Sequence, residues 1–143
     1  MIPPIDLIDI DLVGIPFASK GRDPIRGLDC WGLLRHVYET KLGIVLPSYA
    51  DEYQDANDRK ETLAAINRNL GADWVRVEVP NVGDAVRLRV DGDPCHVGVY
   101  IGRGLILHTQ AGVNSVAEEL FGDRWGRRIV GIYRHAKLYR SGL

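Results

Sequence analysis

The chain has 143 residues, enough for one domain with a single core and not for two. With 45% hydrophobic and 26% charged residues it belongs among ordinary folded domains rather than disordered or membrane-embedded chains. Its 18 basic and 19 acidic residues nearly cancel and form no basic stripe, which argues against a nucleic-acid partner, and no run of about 18 apolar residues is present to enter a membrane.

Residues 1–11 carry neither a basic n-region nor an unbroken apolar stretch, so no export signal is expected and the chain is expected to fold in the cytoplasm. There Cys30 and Cys95 are expected as free thiols. Residues 14–28, rich in Gly, Pro and charge, read as an irregular loop. From Asp29 the pattern changes: Leu33, Leu34, Val37 and Tyr38 recur at helical spacing up to a stop at Gly43, predicting about four turns of helix. Asp29 is a good N-cap, which puts Cys30 in the first turn. A second helix is predicted over 58–70, where Asp58 and Glu61 have capping-box spacing.

Beyond Gly71 the period becomes two. Strands are predicted over 74–79, 85–90, 96–101, 105–108 and 129–133, with turns at 81–84 and 91–93. Helices followed by a meander of strands make an α+β domain with an antiparallel sheet of about five or six strands.

The chemistry gathers at Cys30. A thiol attacks as thiolate, and a helix N-terminus is expected to lower its pKa through oriented N–H groups. A buried, inert cysteine is the bland alternative, but a Gly-rich loop delivering Cys30 to a capped helix start is costly to build for packing alone. A nucleophile also needs a base and a group that orients it. His96 and His108 flank a hairpin turning at Gly102-Arg103-Gly104. A two-residue turn at 103–104 sets His108 opposite Val99, facing away from His96. A three-residue turn at 102–104 pairs 101 with 105 and His108 with Gly98, which brings both imidazoles to one face and uses Gly98 to leave space between them. Function therefore predicts the odd turn.

These residues resemble the NlpC family of cell-wall cysteine peptidases, within the papain-like folds. The match runs through Gly14-Ile-Pro-Phe17, Gly27-Leu-Asp-Cys-Trp-Gly-Leu-Leu34, Gly43-Ile-Val-Leu-Pro47, Gly83-Asp-Ala-Val86, His96-Val-Gly-Val-Tyr-Ile-Gly102 and Ile106-Leu-His108, in the family's order. The resemblance implies a Cys30, His96, His108 triad, no cofactor or metal, and hydrolysis of peptide stems in peptidoglycan, with the bond between D-glutamate and the following diamino acid as target. The Cys-Trp-Gly-Leu-Leu form resembles the branch encoded with phage and prophage tails, which implies tail proteins as partners and action at the cell wall. The family commonly places a Tyr about a dozen residues before the Cys. Here the counterpart is Phe17, without the hydroxyl.

Asp29, Trp31, Phe17 and Gly98 are candidate substrate contacts, although Asp29 is chiefly a cap and Trp31 and Trp125 have core packing as the plainer role. His36 and His135 are expected on the surface. Cys30, Cys95, His96 and His108 are chemically a zinc-ligand set, but neighbours 95 and 96 point to opposite faces of a strand, so Cys95 is expected on the core side. A CHAP-type amidase, which usually places Asn, Asp or Glu third, and a non-catalytic tail-assembly scaffold are the alternative functions.

Overall fold

A computed structural model describes residues 10–52, 54, 64 and 73–140. The helix predicted over 58–70 lies outside the described residues. Two short strands, β1 (Arg22–Asp23) and β2 (Gly27–Leu28), pair within the loop that leads to α1 (Cys30–Val37). Then follow β3 (Trp74–Val77), β4 (Ala85–Val90), β5 (Asp93–Gly102), β6 (Leu105–Gln110), β7 (Val113–Glu119), β8 (Ile129–His135) and α2 (Ala136–Arg140). Among the described residues β3 to β8 form one six-stranded antiparallel sheet in the order β3-β8-β4-β5-β6-β7. The α+β class and the strand number agree with expectation. The meander is interrupted, because β8 returns between β3 and β4.

β7 is the strand that the alternation of apolar residues did not predict. Its side chains are mostly half-buried or exposed, so no clean period of two is written in it. Its outer edge is covered by the N-terminal segment: Gly14 N–H donates to Ser115 O and Ser115 N–H to Ile15 O, both at 2.8 Å. That pairing removes an open strand edge.

α1 forms where the spacing of apolar residues places it. Asp29 accepts from Gly32 N–H at 2.8 Å, satisfying one of the orphan donors of the first turn. After Val37 the helix widens into a π-helical segment, Tyr38–Leu42, and ends at Gly43 with a φ of 68°. Its buried face, Trp31, Leu33, Leu34 and Val37, packs with Val97, Val99, Ile101 and Leu107 in one apolar cluster. Burial is worth about 1.5–3 kcal/mol for each large side chain, so α1 is clamped to the sheet along its length. Strand alternation sends Val86, Leu88 and Ile106 to the other face, where Trp125 closes a second cluster.

The loop before α1 lies on its first turn. A Cβ on Gly32 would stand 2.2 Å from the Gly21 carbonyl oxygen and one on Gly21 would stand 2.1 Å from that of Gly27. Backbone contact this close is why the motif reads Cys-Trp-Gly. Ala normally stabilises a helix interior over Gly by ~1 kcal/mol, but here the collision with backbone reverses the sign. Gly32→Ala is expected to lower stability by about 1–3 kcal/mol, read as a lower urea midpoint at unchanged m-value. A raised midpoint would show that the loop is free to move away.

Candidate active site

β4 and β5 stay paired through Leu88–His96 and Arg87–Val97, whereas the β5–β6 ladder begins at Val99–Leu107. Tyr100 exchanges hydrogen bonds with Asp84 O and Gly83 N–H on the β4 side. By strand alternation the N–H of Val97 therefore points toward β6, where the ladder has opened. The first turn of α1 packs here, with Cys30 against the cluster that holds Val97, and the backbone N–H groups of Val97 and Trp31 favour the thiolate of Cys30. The thiol is thus seated against the residue that follows His96.

His96 and His108 lie on the face that carries Trp125. Their contact joins His96 Nε2 to His108 Nδ1 at 2.9 Å, and the two are 4% and 2% exposed. With Nε2 engaged, Nδ1 is the nitrogen of His96 left to exchange a proton with a thiol. The Val99–Leu107 and Tyr100–Ile106 pairs have the expected register, which extended by one residue past the end of the ladder sets Gly98 opposite His108. The route to it differs from expectation. The turn itself has two residues, with Gly102 paired to Leu105 and positive φ at both Arg103 (54°) and Gly104 (76°), and the odd residue is absorbed by a bulge between Tyr100 and Gly102.

The room expected at Gly98 is taken by Ile106, whose Cδ1 would lie 2.6 Å from a Cβ there. Gly98 is therefore a packing requirement for β6. Asp29 is not free to meet substrate. It is 1% exposed and its oxygens accept from Gly32 N–H at 2.8 Å, Arg22 Nη1 at 2.7 Å and Lys20 N–H at 3.1 Å. Trp31 belongs to the core, donating from Nε1 to Pro47 O at 3.0 Å and packing on Tyr49 and Trp74. Phe17 is half-buried and bridges Leu28, two residues before the nucleophile. Cys95 is buried on the α1 side, as expected, and neither Cys30 nor Cys95 is in a disulfide. His135, expected on the surface, is buried, edge-on to Trp74 with ring centroids 5.0 Å apart. As the last residue of β8 it pairs with Trp74, and the aromatic contact holds it inside.

Two further residues meet the histidines. Glu118 on β7 accepts from His108 Nε2 at 2.5 Å and from Trp125 Nε1 at 2.9 Å, both on Oε2, while Arg124 Nη1 donates to Oε1 at 2.8 Å. The Trp125 ring stacks on His96 at 5.9 Å and stands edge-on to His108 at 4.9 Å. Glu118 went unnoticed because its strand was not predicted.

Burial sets the resting charge of the pair. It pushes the Cys30 thiol up to about 12, with nearby Asp29 adding and the Val97 and Trp31 N–H groups only partly offsetting. Cys30 is only partly exposed, and desolvation of the thiol is the largest influence on it, outweighing the pull of those N–H groups. The lowered thiol pKa expected from the helix start is therefore overturned. Burial, reinforced by His108, lowers His96 to about 3. Burial also lowers His108, against the pull of Glu118. Burial alone would raise Glu118, but hydrogen bonds from Trp125 and His108 outweigh it and keep the carboxyl below its ordinary range. At neutral pH the site holds a thiol, two neutral imidazoles and a carboxylate.

A model described as the NlpC/P60 family matches residues 14–134. The gamma-DL-glutamyl hydrolase of Bacillus subtilis (strain 168) is 25% identical over 126 residues, which are 88% of this chain and 27% of that protein, so the chain spans about a quarter of its length. The NlpC/p60 domain of the peptidoglycan hydrolase SagA superposes with a TM-score of 0.57 at 19% identity, covering 86% of this chain and 89% of that one. An NlpC/P60 family protein from Bacillus cereus ATCC 10987 gives 0.60 at 24% identity, over 93% of this chain and 41% of the other. At these identities the structures speak for the fold.

Two measurements check the charge state. Iodoacetamide alkylation of Cys30, located by peptide mapping, is expected to keep accelerating above pH 9; a plateau reached by pH 8 would mean a preformed thiolate. For His96 the folded value lies below the ordinary 6.5, so its contribution to stability is complete above pH 6.5 and is lost as pH falls from there toward 3. The urea midpoint of His96→Gln is expected to fall less than that of the parent between pH 6.5 and 4.

Proposed function

This chain belongs to the NlpC/P60 family, whose members are cysteine hydrolases, and we propose that it cleaves peptide stems of bacterial peptidoglycan through Cys30, His96 and His108. The reading rests on one observation: His96 engages His108 through Nε2 and keeps Nδ1 for a proton, in a strand whose next residue, Val97, belongs to the cluster on which Cys30 packs.

The resting pair is neutral, so His96 acts as a general base rather than as half of a stored ion pair. As substrate binds, the thiol proton passes to His96 Nδ1 and the sulfur attacks the scissile carbonyl carbon. The carbonyl π electrons move to oxygen, where backbone N–H groups of the first turn, Cys30 foremost, receive the developing charge. Collapse expels the amine, which takes the proton from His96, and leaves a thioester. Water, deprotonated by the same imidazole, then releases the acid and restores the thiol. His108 holds the ring and shares its charge while it is protonated.

The bond cleaved in this reading follows a γ-linked D-glutamyl residue and precedes the diamino acid. It is supported by the resemblance of the motifs and by a relative named as a gamma-DL-glutamyl hydrolase. Phe17 offers no hydroxyl to oxyanion or substrate, so donors to both come from backbone. The Cys30-Trp-Gly-Leu-Leu34 form supports a place in a phage tail or its assembly, with tail proteins as partners that bring the domain to the wall.

The test is incubation with purified muropeptides followed by mass analysis. Cys30→Ala is expected to abolish cleavage with the fold retained by circular dichroism. His96→Ala is expected to cost more than His108→Ala, because losing the base is worse than losing its support. Turnover persisting in Cys30→Ala, or a larger loss at position 108, would refute the roles assigned.

A further inference from the structure

We infer that Glu118 is a positioning residue of this site, acting through His108 to fix the tautomers of both histidines and leave Nδ1 of His96 bare toward the thiol. The inference rests on the catalytic reading above and extends it to a residue on a different strand.

The argument is one of donors and acceptors. An ionised carboxylate has acceptors only. Glu118 Oε2 lies 2.5 Å from His108 Nε2, so that nitrogen must carry the hydrogen. A neutral imidazole has one N–H, which makes His108 Nδ1 an acceptor. His96 Nε2, 2.9 Å from it, must therefore donate. The hydrogen of neutral His96 is then spent on Nε2, and Nδ1 holds a lone pair. Each step follows from the one before it, and the carboxylate is the only member whose role does not depend on a choice of tautomer.

The carboxylate is itself held. Trp125 Nε1 donates to the same Oε2 at 2.9 Å and Arg124 Nη1 to Oε1 at 2.8 Å, so both oxygens have partners and the side chain cannot turn away. The Trp125 ring that supplies this hydrogen bond also packs on both imidazoles, which fixes their planes as well as their hydrogens. During attack the thiol proton arrives at His96 Nδ1, and the ring becomes cationic with its Nε2–H already pointing at His108. Glu118 then lies at the far end of the same chain as its counter-charge.

Two measurements on the whole domain decide the matter. In the folded parent, nitrogen NMR of the histidine rings at pH 7 is expected to show His96 and His108 both protonated at Nε2. Hydrogen on Nδ1 of His108 would overturn the inference. In Glu118→Ala that tautomer order is expected to be lost and kcat on muropeptides to drop about 10²-fold, with KM changed only severalfold. Glu118→Gln keeps an acceptor of the same shape, so it is expected to restore the tautomers and recover part of kcat. A kcat within threefold of the parent in both variants would overturn the inference. If the parent itself cleaves no muropeptide, the catalytic reading fails, and the ring spectra still decide the role of Glu118 by themselves.

Discussion

Val97 joins the two halves of this protein, because its N–H favours the Cys30 thiolate where a neighbouring strand would have offered a carbonyl. An unpaired N–H in a sheet interior is costly, and here the nucleophile packs beside that position. β6 leaves β5 below Val99, and the space so made admits the first turn of α1. Several local features serve this one junction. Asp29 must cap the helix and be pinned by Arg22, Gly32 must let the loop come within backbone distance, and the apolar face of α1 must seat on Val97, Val99 and Ile101.

The same opening constrains the histidines. They need β6 close enough for an imidazole contact at position 108 but parted from β5 beside Val97. A plain two-residue turn would have rotated His108 to the α1 face, because one residue of slip exchanges the two faces of a strand. The bulge at Ile101 restores the register just before the site, and Gly98 lets Ile106 pack where any side chain would collide. Bulge, glycine and paired histidines are therefore one device, and none of them has a purpose without the others.

Much of this was legible in the sequence because it is carried by local rules: a cap before a helix, period two in the strands, a glycine at the helix end. Arithmetic on the hairpin also found the register that turns His108 to the face of His96, although it assigned the extra residue to the turn. A bulge and a three-residue turn leave the same count of residues, and only backbone dihedrals distinguish them. His135 was misplaced for a different reason. Its burial comes from Trp74, some sixty positions away, through a strand pairing that interrupts the meander, and no local pattern reports that neighbour.

The thiol and Glu118 mark the deeper limit. A helix N-terminus favours thiolate, and from the sequence that was the visible influence. Desolvation depends on everything packed around the sulfur, and it is the larger effect. A carboxylate near the histidines is likewise invisible when it rides on an edge strand with half-exposed side chains and no alternation. Yet the two belong together. A site that keeps its thiol and imidazole neutral by burial cannot rely on a stored ion pair, so it depends on the imidazole presenting the correct nitrogen. Fixing a tautomer takes an acceptor held in place against the ring, and a carboxylate held by an indole and a guanidinium is such a group. Burial of the nucleophile and an anchored acid two side chains away from it are thus consequences of the same electrostatic choice.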